Sequence, residues 1–405
     1  MLSIESKMTS STKHALRFAA FALLLLASGQ ITQAAPLSLD SSGATAESSA
    51  DVELHQGGIR LYRQGDQKRA EDLFRQVVKR SPKYLPARYD LAALLIGQGR
   101  FPEGVAHYEL IATKLAPNDA EARRRYAVVL NRAQRTSQAI SQFEKSLQIS
   151  PERKDTRRDL VKLLLTAQDY MKAVSVSDTG VRLHPDDASV QNDHGVVLMR
   201  LGKPGEAVKS FEKAVELDAE HPDAHYNMGL ALNEQWQLAD AEEHLRKALD
   251  IRPDYTDAYY NLGKVLARSN KVETARKAFE KVLELQSGYY LANHELGMLF
   301  LRSGEPRKSV RYFTEALRQS PAFSESQYHM GLALLEIGRP KLAIPQFEGV
   351  LRSRPKNADA RLKMGEALIA TGDKAGAEAH LREALWLRPG WQEAEETLSN
   401  LKLGN

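Results

Sequence analysis

The chain has no cysteine among its 405 residues. Disulfide staples, thiol catalysis, Cys-ligated zinc and a lipoprotein anchor are therefore excluded. The absence does not fix a compartment, but it suits an oxidising one, where a free thiol is a liability. Aromatic residues are scarce, at 7%, and the remaining composition is rich in good helix formers. Charge of one sign is also lacking. The formal net charge is only +4, so nothing draws the whole molecule to nucleic acid or to an anionic membrane. The basic run Arg123, Arg124 and Arg125 has no second basic cluster with interleaved aromatics, and it reads as a solvated helix face. No nucleophile elbow, zinc-protease His pair or carboxylate calcium loop occurs. The segment from Gly195 to Gly202-Lys203-Pro204 only echoes a phosphate loop: its spacing is wrong and proline stands where a hydroxyl is needed.

The longest apolar run, Phe18–Ala27, is about half of the ~20 residues a permanent span needs. Lys13 and Arg17 precede it, and a small-residue stretch ending at Ala34-Ala35 follows. Charged, apolar, then small is the order of a secretory signal peptide. Residues 1–34 are expected to be that leader, cut after Ala34, with Gly29 as the alternative site and Met8 as an alternative start. Residues 35–47 are rich in Ser and Ala and poor in bulky apolar groups, the composition of a disordered linker.

What the rest of the chain has is a period. Stepping by thirty-four residues gives Gly195, Gly229, Gly263, Gly297, Gly331 and Gly365. Stepping back gives Val161 and Ala127 and, after one extra residue, Ala92 and Gly58. Twelve residues later stands a second small residue in each unit, as at Ala207, Ala241 and Ala275. A large apolar residue lies four further on, as at Phe211, Leu245 and Phe279. Most units end at proline, as at Pro151, Pro253 and Pro389. Each unit holds two apolar stripes of helical period around a short polar turn, which makes an antiparallel helix pair. Glycine within a helix costs ~1 kcal/mol against alanine, so it needs a packing reason. The expected one is close approach of Gly263 to Ala275, with Phe279 filling the gap towards the next unit. Asn118 and Asp254, just after proline, are expected to cap the helices that follow.

This pattern resembles the tetratricopeptide repeat family. The resemblance covers residues 48–388 as ten repeats, one of 35 residues at 82–116, with 389–405 as a polar capping helix bearing Glu393, Glu395, Glu396 and Lys402. It implies an all-α, right-handed solenoid of stacked helix-turn-helix hairpins with a concave groove. Repeat four departs from the pattern: Val161 replaces the small residue, Ser177 the aromatic, and Gly180 sits near the second helix end. It is expected to be the loosest joint.

His221 and His225 lie four apart, the spacing of two metal ligands on one helix face, but no third ligand accompanies them. No metal or cofactor is expected. The resemblance implies instead that the first helix of each hairpin faces the groove. Three positions before the small residue stand Tyr89, Asn192, Tyr226, Tyr260, His294 and Tyr328, among others. Two positions before it stand Asp193, Asn227 and Asn261. Lys264 follows Gly263. The strongest candidate patch is Tyr226-Asn227 with Tyr260-Asn261, because tyrosine offers contact area with a polar tip and asparagine can pair with a peptide backbone. Arg200, Arg268 and Arg302, in the last turns of first helices, suit either an acidic partner or the helix dipole. The family's carboxylate clamp is not supported, because its positions hold His55, Ile59, Asp90, Glu121 and Arg125. An asparagine ladder like that of repeats attached to protein glycosyltransferases is matched only at Asn227 and Asn261.

The sequence therefore reads as an exported, non-enzymatic scaffold, periplasmic or secreted. It would bind a protein or peptide in its groove and associate with envelope machinery, with no nucleic acid and no integral span after leader cleavage. The alternative is a glycan-binding or partner-organising subunit of an exopolysaccharide secretion system. Tyr89-Asp90 with Asp159 and Asp193 only partly supply the aromatic faces and carboxylates that sugars need.

Overall fold

The structure, a computed structural model, describes residues 49–403. The expected leader and linker lie outside the described residues. The chain divides into two compact units, at Lys203 and Pro204.

The described residues of unit one form nine α-helices. They are α1 (Ser49–Arg63) with α2 (Gln67–Arg80), α3 (Leu85–Gly97) with α4 (Phe101–Leu110), α5 (Ala120–Arg132) with α6 (Thr136–Ile149), α7 (Lys154–Thr166) with α8 (Tyr170–Leu183), and α9 (Ala188–Arg200). Unit two opens with α10 (Pro204–Leu217). Five hairpins follow: α11 (Pro222–Glu234) with α12 (Leu238–Ile251), α13 (Thr256–Arg268) with α14 (Val272–Leu285), α15 (Tyr290–Arg302) with α16 (Pro306–Gln319), α17 (Ser324–Glu336) with α18 (Pro340–Ser353), and α19 (Ala358–Thr371) with α20 (Lys374–Leu387). The last helix is α21 (Gln392–Leu403). Within each unit, each helix packs on its neighbours in sequence. This is an all-α architecture of stacked hairpins, and the described residues contain no strand.

The repeated glycines are seats first for a ring or leucine of the second helix, in addition to the expected close approach. A Cβ on Gly263 would stand 2.6 Å from the ring of Phe279, and Gly297 and Gly331 meet Phe313 and Phe347 in the same way. The glycine is a seat for the aromatic of its own second helix, so Phe279 fills space inside its hairpin. Close approach to the second small residue does occur at Gly229, where the added Cβ would lie 3.1 Å from the Ala241 carbonyl. Ala207, Ala241 and Ala275 are all fully buried.

Repeat four keeps the volume and exchanges its owner. Val161, on α7, is buried where others have glycine or alanine, and Ser177, on α8, is buried where others have an aromatic. The bulk has moved from the second helix to the first. Ser177 also hydrogen-bonds the His194 ring at 3.0 Å.

The extra residue of the 82–116 repeat is absorbed by a π turn, Ile111–Leu115, which continues α4. A single inserted residue in a helix takes that form. Turns inside hairpins use a left-handed residue seven positions after the small one. It is glycine at Gly65, Gly99, Gly202, Gly304, Gly338 and Gly372, and Gln134, Gln168, Trp236 and Asn270 in the others. Turns between hairpins are tied by the residue four before the small one, which reaches back to a loop carbonyl. Arg88 donates to Pro82 at 2.7 Å, Gln191 to Pro185 at 2.8 Å and Gln327 to Pro321 at 3.0 Å.

The expected caps fall one residue late in the chain. Asp119, not Asn118, caps α5, accepting from the Glu121 and Ala122 amides. The N-cap of α13 is Tyr255, with no side-chain cap bond. At the C-terminus α21 buries Ala394 and Leu401 and exposes Glu393, Glu395, Glu396 and Lys402. No helix among the described residues is long and apolar enough to cross a membrane.

Candidate binding face

The first helices of successive hairpins touch within each unit, through backbone packing in unit two and through side chains along unit one. A residue three before the small position therefore meets the residue two before it on the next hairpin, thirty-five positions on, or thirty-six across the longer 82–116 repeat. In unit one, His55 Nε2 lies 2.7 Å from Asp90 Oδ2. Arg125 stacks its guanidinium 4.8 Å from the centre of the Tyr89 ring. Arg124 pairs with Asp159 at 2.9 Å, and Arg158 with Asp193 at 2.5 Å. In unit two, Asn261 Nδ2 donates to Tyr226 OH at 3.1 Å. Tyr260 and Glu295 are close enough to act on each other's titration, and the His294 and His329 rings stand 5.8 Å apart. The candidate groove residues thus form a ladder of partners.

The ladder corrects two expectations. The Arg123–Arg125 run is not a solvated face. All three are partly buried: Arg123 bonds Gln142 and Pro117, Arg124 bonds Asp159, and Arg125 bonds Glu121. The Tyr226–Asn261 patch does come together, but it is not open. Tyr226 and Tyr260 are each 5% exposed and Asn261 9%, because Tyr255 packs on Tyr226 at 4.8 Å and Tyr289 on Tyr260 at 5.3 Å. Tyr89 and Asn192 are buried as well. Asp193, Arg200, Asn227, Lys264, His294 and Tyr328 are partly buried, while Arg268 and Arg302 are exposed. Arg268 reaches the preceding hairpin, donating to Asn233 Oδ1 at 2.6 Å and stacking 3.9 Å from the Trp236 ring centre.

Burial sets the protonation of unit two's row. It pushes the Tyr226 and Tyr260 hydroxyls well above their usual range. Burial also raises the Glu295 carboxyl, although Lys264 and the neighbouring Tyr260 hydroxyl pull the other way. His294 and His329 are lowered to about 4, again chiefly by burial. At neutral pH both imidazoles are uncharged, so the 226–329 stretch of this row is mainly aromatic and amide, with Lys264 and Glu295 beside it, where unit one presents mostly charged pairs.

His221 and His225 do not make a metal pair. His225 Nε2 donates to the Ala219 carbonyl at 3.1 Å and its Nδ1 faces His244 Nδ1 at 3.0 Å. His221 Nδ1 accepts from the Ala224 amide. Among the described residues, no cluster of three or more His, Cys, Asp or Glu could hold a metal ion.

A second polar row escaped sequence reasoning. Six residues before the small position, several first helices carry a carboxylate near their N-termini. An arginine twenty-nine residues later, at the end of the second helix, reaches it: Arg252 to Asp223 at 3.0 Å, Arg354 to Glu325 at 2.5 Å and Arg388 to Asp359 at 3.1 Å. The signal was legible as a fixed Asp/Glu-to-Arg offset.

Two models of the tetratricopeptide repeat match the chain, one at residues 192–256, 294–346 and 328–394, the other at 61–123, 130–192 and 232–293. No curated protein matches. Similar solved structures include YrrB, described as a TPR protein with an unusual peptide-binding site. It is 23% identical over 47% of this chain and 99% of that one, with a TM-score of 0.43. Others are PilF of Pseudomonas aeruginosa, 20% identical over 53% and 97% with a TM-score of 0.48, and PilW, a type IV pilus biogenesis factor, 22% identical over 52% and 98% with a TM-score of 0.46. The period, the glycine seats for aromatic rings, the left-handed turn position and the two matching models together make this chain a member of the tetratricopeptide repeat family.

Proposed function

We propose that this chain is a non-enzymatic scaffold that binds a protein or peptide along its first-helix face and assists assembly of a multiprotein complex in the cell envelope. The observation that carries the reading is the ladder. Its side chains are fixed by partners on the adjacent hairpin before any ligand arrives, so little rotamer freedom is left to lose on binding. Asn227, Lys264, His294 and Tyr328 keep part of their surface open around the buried Tyr226, Tyr260 and Asn261. Export rests on the leader pattern at residues 1–34, and it would deliver the chain to the periplasm or beyond.

Purified residues 35–405 would serve as bait against an envelope extract of the native host. Beside it would run a variant combining Asn227→Ala, Lys264→Ala and Tyr328→Ala with helical content unchanged. Capture by the parent and loss by the variant is expected. Equal capture by both would move the site off this face, and capture of glycan alone would favour the polysaccharide reading. N-terminal sequencing of the mature protein tests export: Ala35 as first residue is expected, and an intact leader would refute it.

A further inference from the structure

The carboxylate row has one gap. Glu121 and Asp155 both reach Arg153, and Asp223, Glu325 and Asp359 each have their own arginine. Asp257, at the same place on α13, has none: Gln286 stands where Arg252 and Arg388 stand in their repeats. The hydroxyl of Tyr289 donates to Asp257 Oδ1 at 3.3 Å, and that is its one side-chain contact of note.

The rest of the arginine's seat is intact. Arg252 bonds Asp223 while stacking 4.5 Å from the Tyr255 ring centre, three residues on. Arg388 bonds Asp359 while stacking 4.1 Å from the Trp391 ring centre, again three residues on. Three residues after Gln286 comes Tyr289. Carboxylate and aromatic platform are both present, and only the guanidinium is missing. Asp257 and Tyr289 are partly buried and Gln286 is exposed, so the seat opens to solvent. Burial without a cation raises the Asp257 carboxyl, whereas Arg354 helps hold Glu325 low.

We propose that Asp257 and Tyr289 form a receptor for an arginine side chain of the partner, which takes the place that Arg252 and Arg388 fill from within their own repeats. A guanidinium suits the seat because it pairs with a carboxylate through its edge and stacks on a ring through its face. The proposal rests on the scaffold reading and names one element of its partner. The Asn261 amide, which bonds the Asp257 carbonyl and Tyr226 OH, ties this seat to the ladder.

The test uses a small probe, so that it does not depend on finding the partner. The mature chain, with isotope-labelled tyrosine rings, is titrated with N-acetyl-arginine amide and, separately, with its neutral isostere N-acetyl-citrulline amide. The Tyr289 resonance is assigned through Tyr289→Phe. Saturable movement of that resonance with arginine and none with citrulline is expected. Asp257→Asn, isosteric and uncharged, should weaken the effect about tenfold or more, roughly the 1.4 kcal/mol of a charge-assisted contact. Gln286→Arg should abolish it by filling the seat from within and should raise Tm. Equal responses to both probes, or binding by Gln286→Arg equal to the parent's, would overturn the proposal. A captured partner whose binding is indifferent to Asp257→Asn would overturn it too and leave the scaffold reading standing.

Discussion

At Gly263 an added methyl would sit 2.6 Å from a phenylalanine ring that is itself fully buried. The ring has nowhere to go, so Gly263→Ala should destabilise unit two by roughly 1–3 kcal/mol, the usual cost of overpacking. Gly97 has nothing within 4 Å of its added Cβ and no positive φ. Gly97→Ala should be neutral or stabilise by up to about 1 kcal/mol through helix propensity alone. Chemical denaturation of both variants decides the matter, and equal effects would contradict the seat. Gln134 holds φ at 60° in a turn where six equivalent positions hold glycine, and it is exposed. Gln134→Gly should therefore raise stability by about 0.5–1 kcal/mol by relieving left-handed strain. A fall in Tm would show that the side chain has a contact that outweighs the strain.

At the scale of one hairpin, α7 and α8 should behave as a volume exchange. Val161→Gly should leave a cavity, Ser177→Phe should overpack, and each alone should destabilise. The double variant should recover much of the loss, because it restores the glycine and aromatic that other hairpins use. A double-mutant cycle measures this directly, and simple additivity would contradict it. The α15–α17 pair carries a pH dependence. His294 and His329 are ordinarily near 6.5 and fall to about 4 in the fold. Below 6.5 the unfolded chain binds protons that the folded chain refuses. Their contribution is present above about 6.5 and is lost as pH falls towards 4. A His294→Asn, His329→Asn variant should show a shallower loss of stability than the parent over that window. Parallel pH profiles would refute the assignment.

For the whole molecule, the sequence disclosed its period, its hairpins and its family, because apolar spacing records burial directly. It disclosed only part of the reason for the glycines, since spacing along a chain does not say which side chain enters which seat. The groove candidates were legible as positions but not as partners. Tyr226 and Asn261 are separated by thirty-five residues, one more than the period, and only the lateral offset of neighbouring helices brings them together. The same offset pairs Arg124 with Asp159, which turned an apparently solvated basic run into a paired one. The missing arginine opposite Asp257 is readable only once its paired counterparts have been seen.

Partners are proposed to dock on the first-helix face. The most direct measurement places a photo-crosslinking amino acid at Lys264 in one strain and at exposed Trp386, on the second helix α20, in another. Both are irradiated in the native host. A discrete protein adduct from position 264 and none from 386 is expected. An adduct from 386 alone would contradict it.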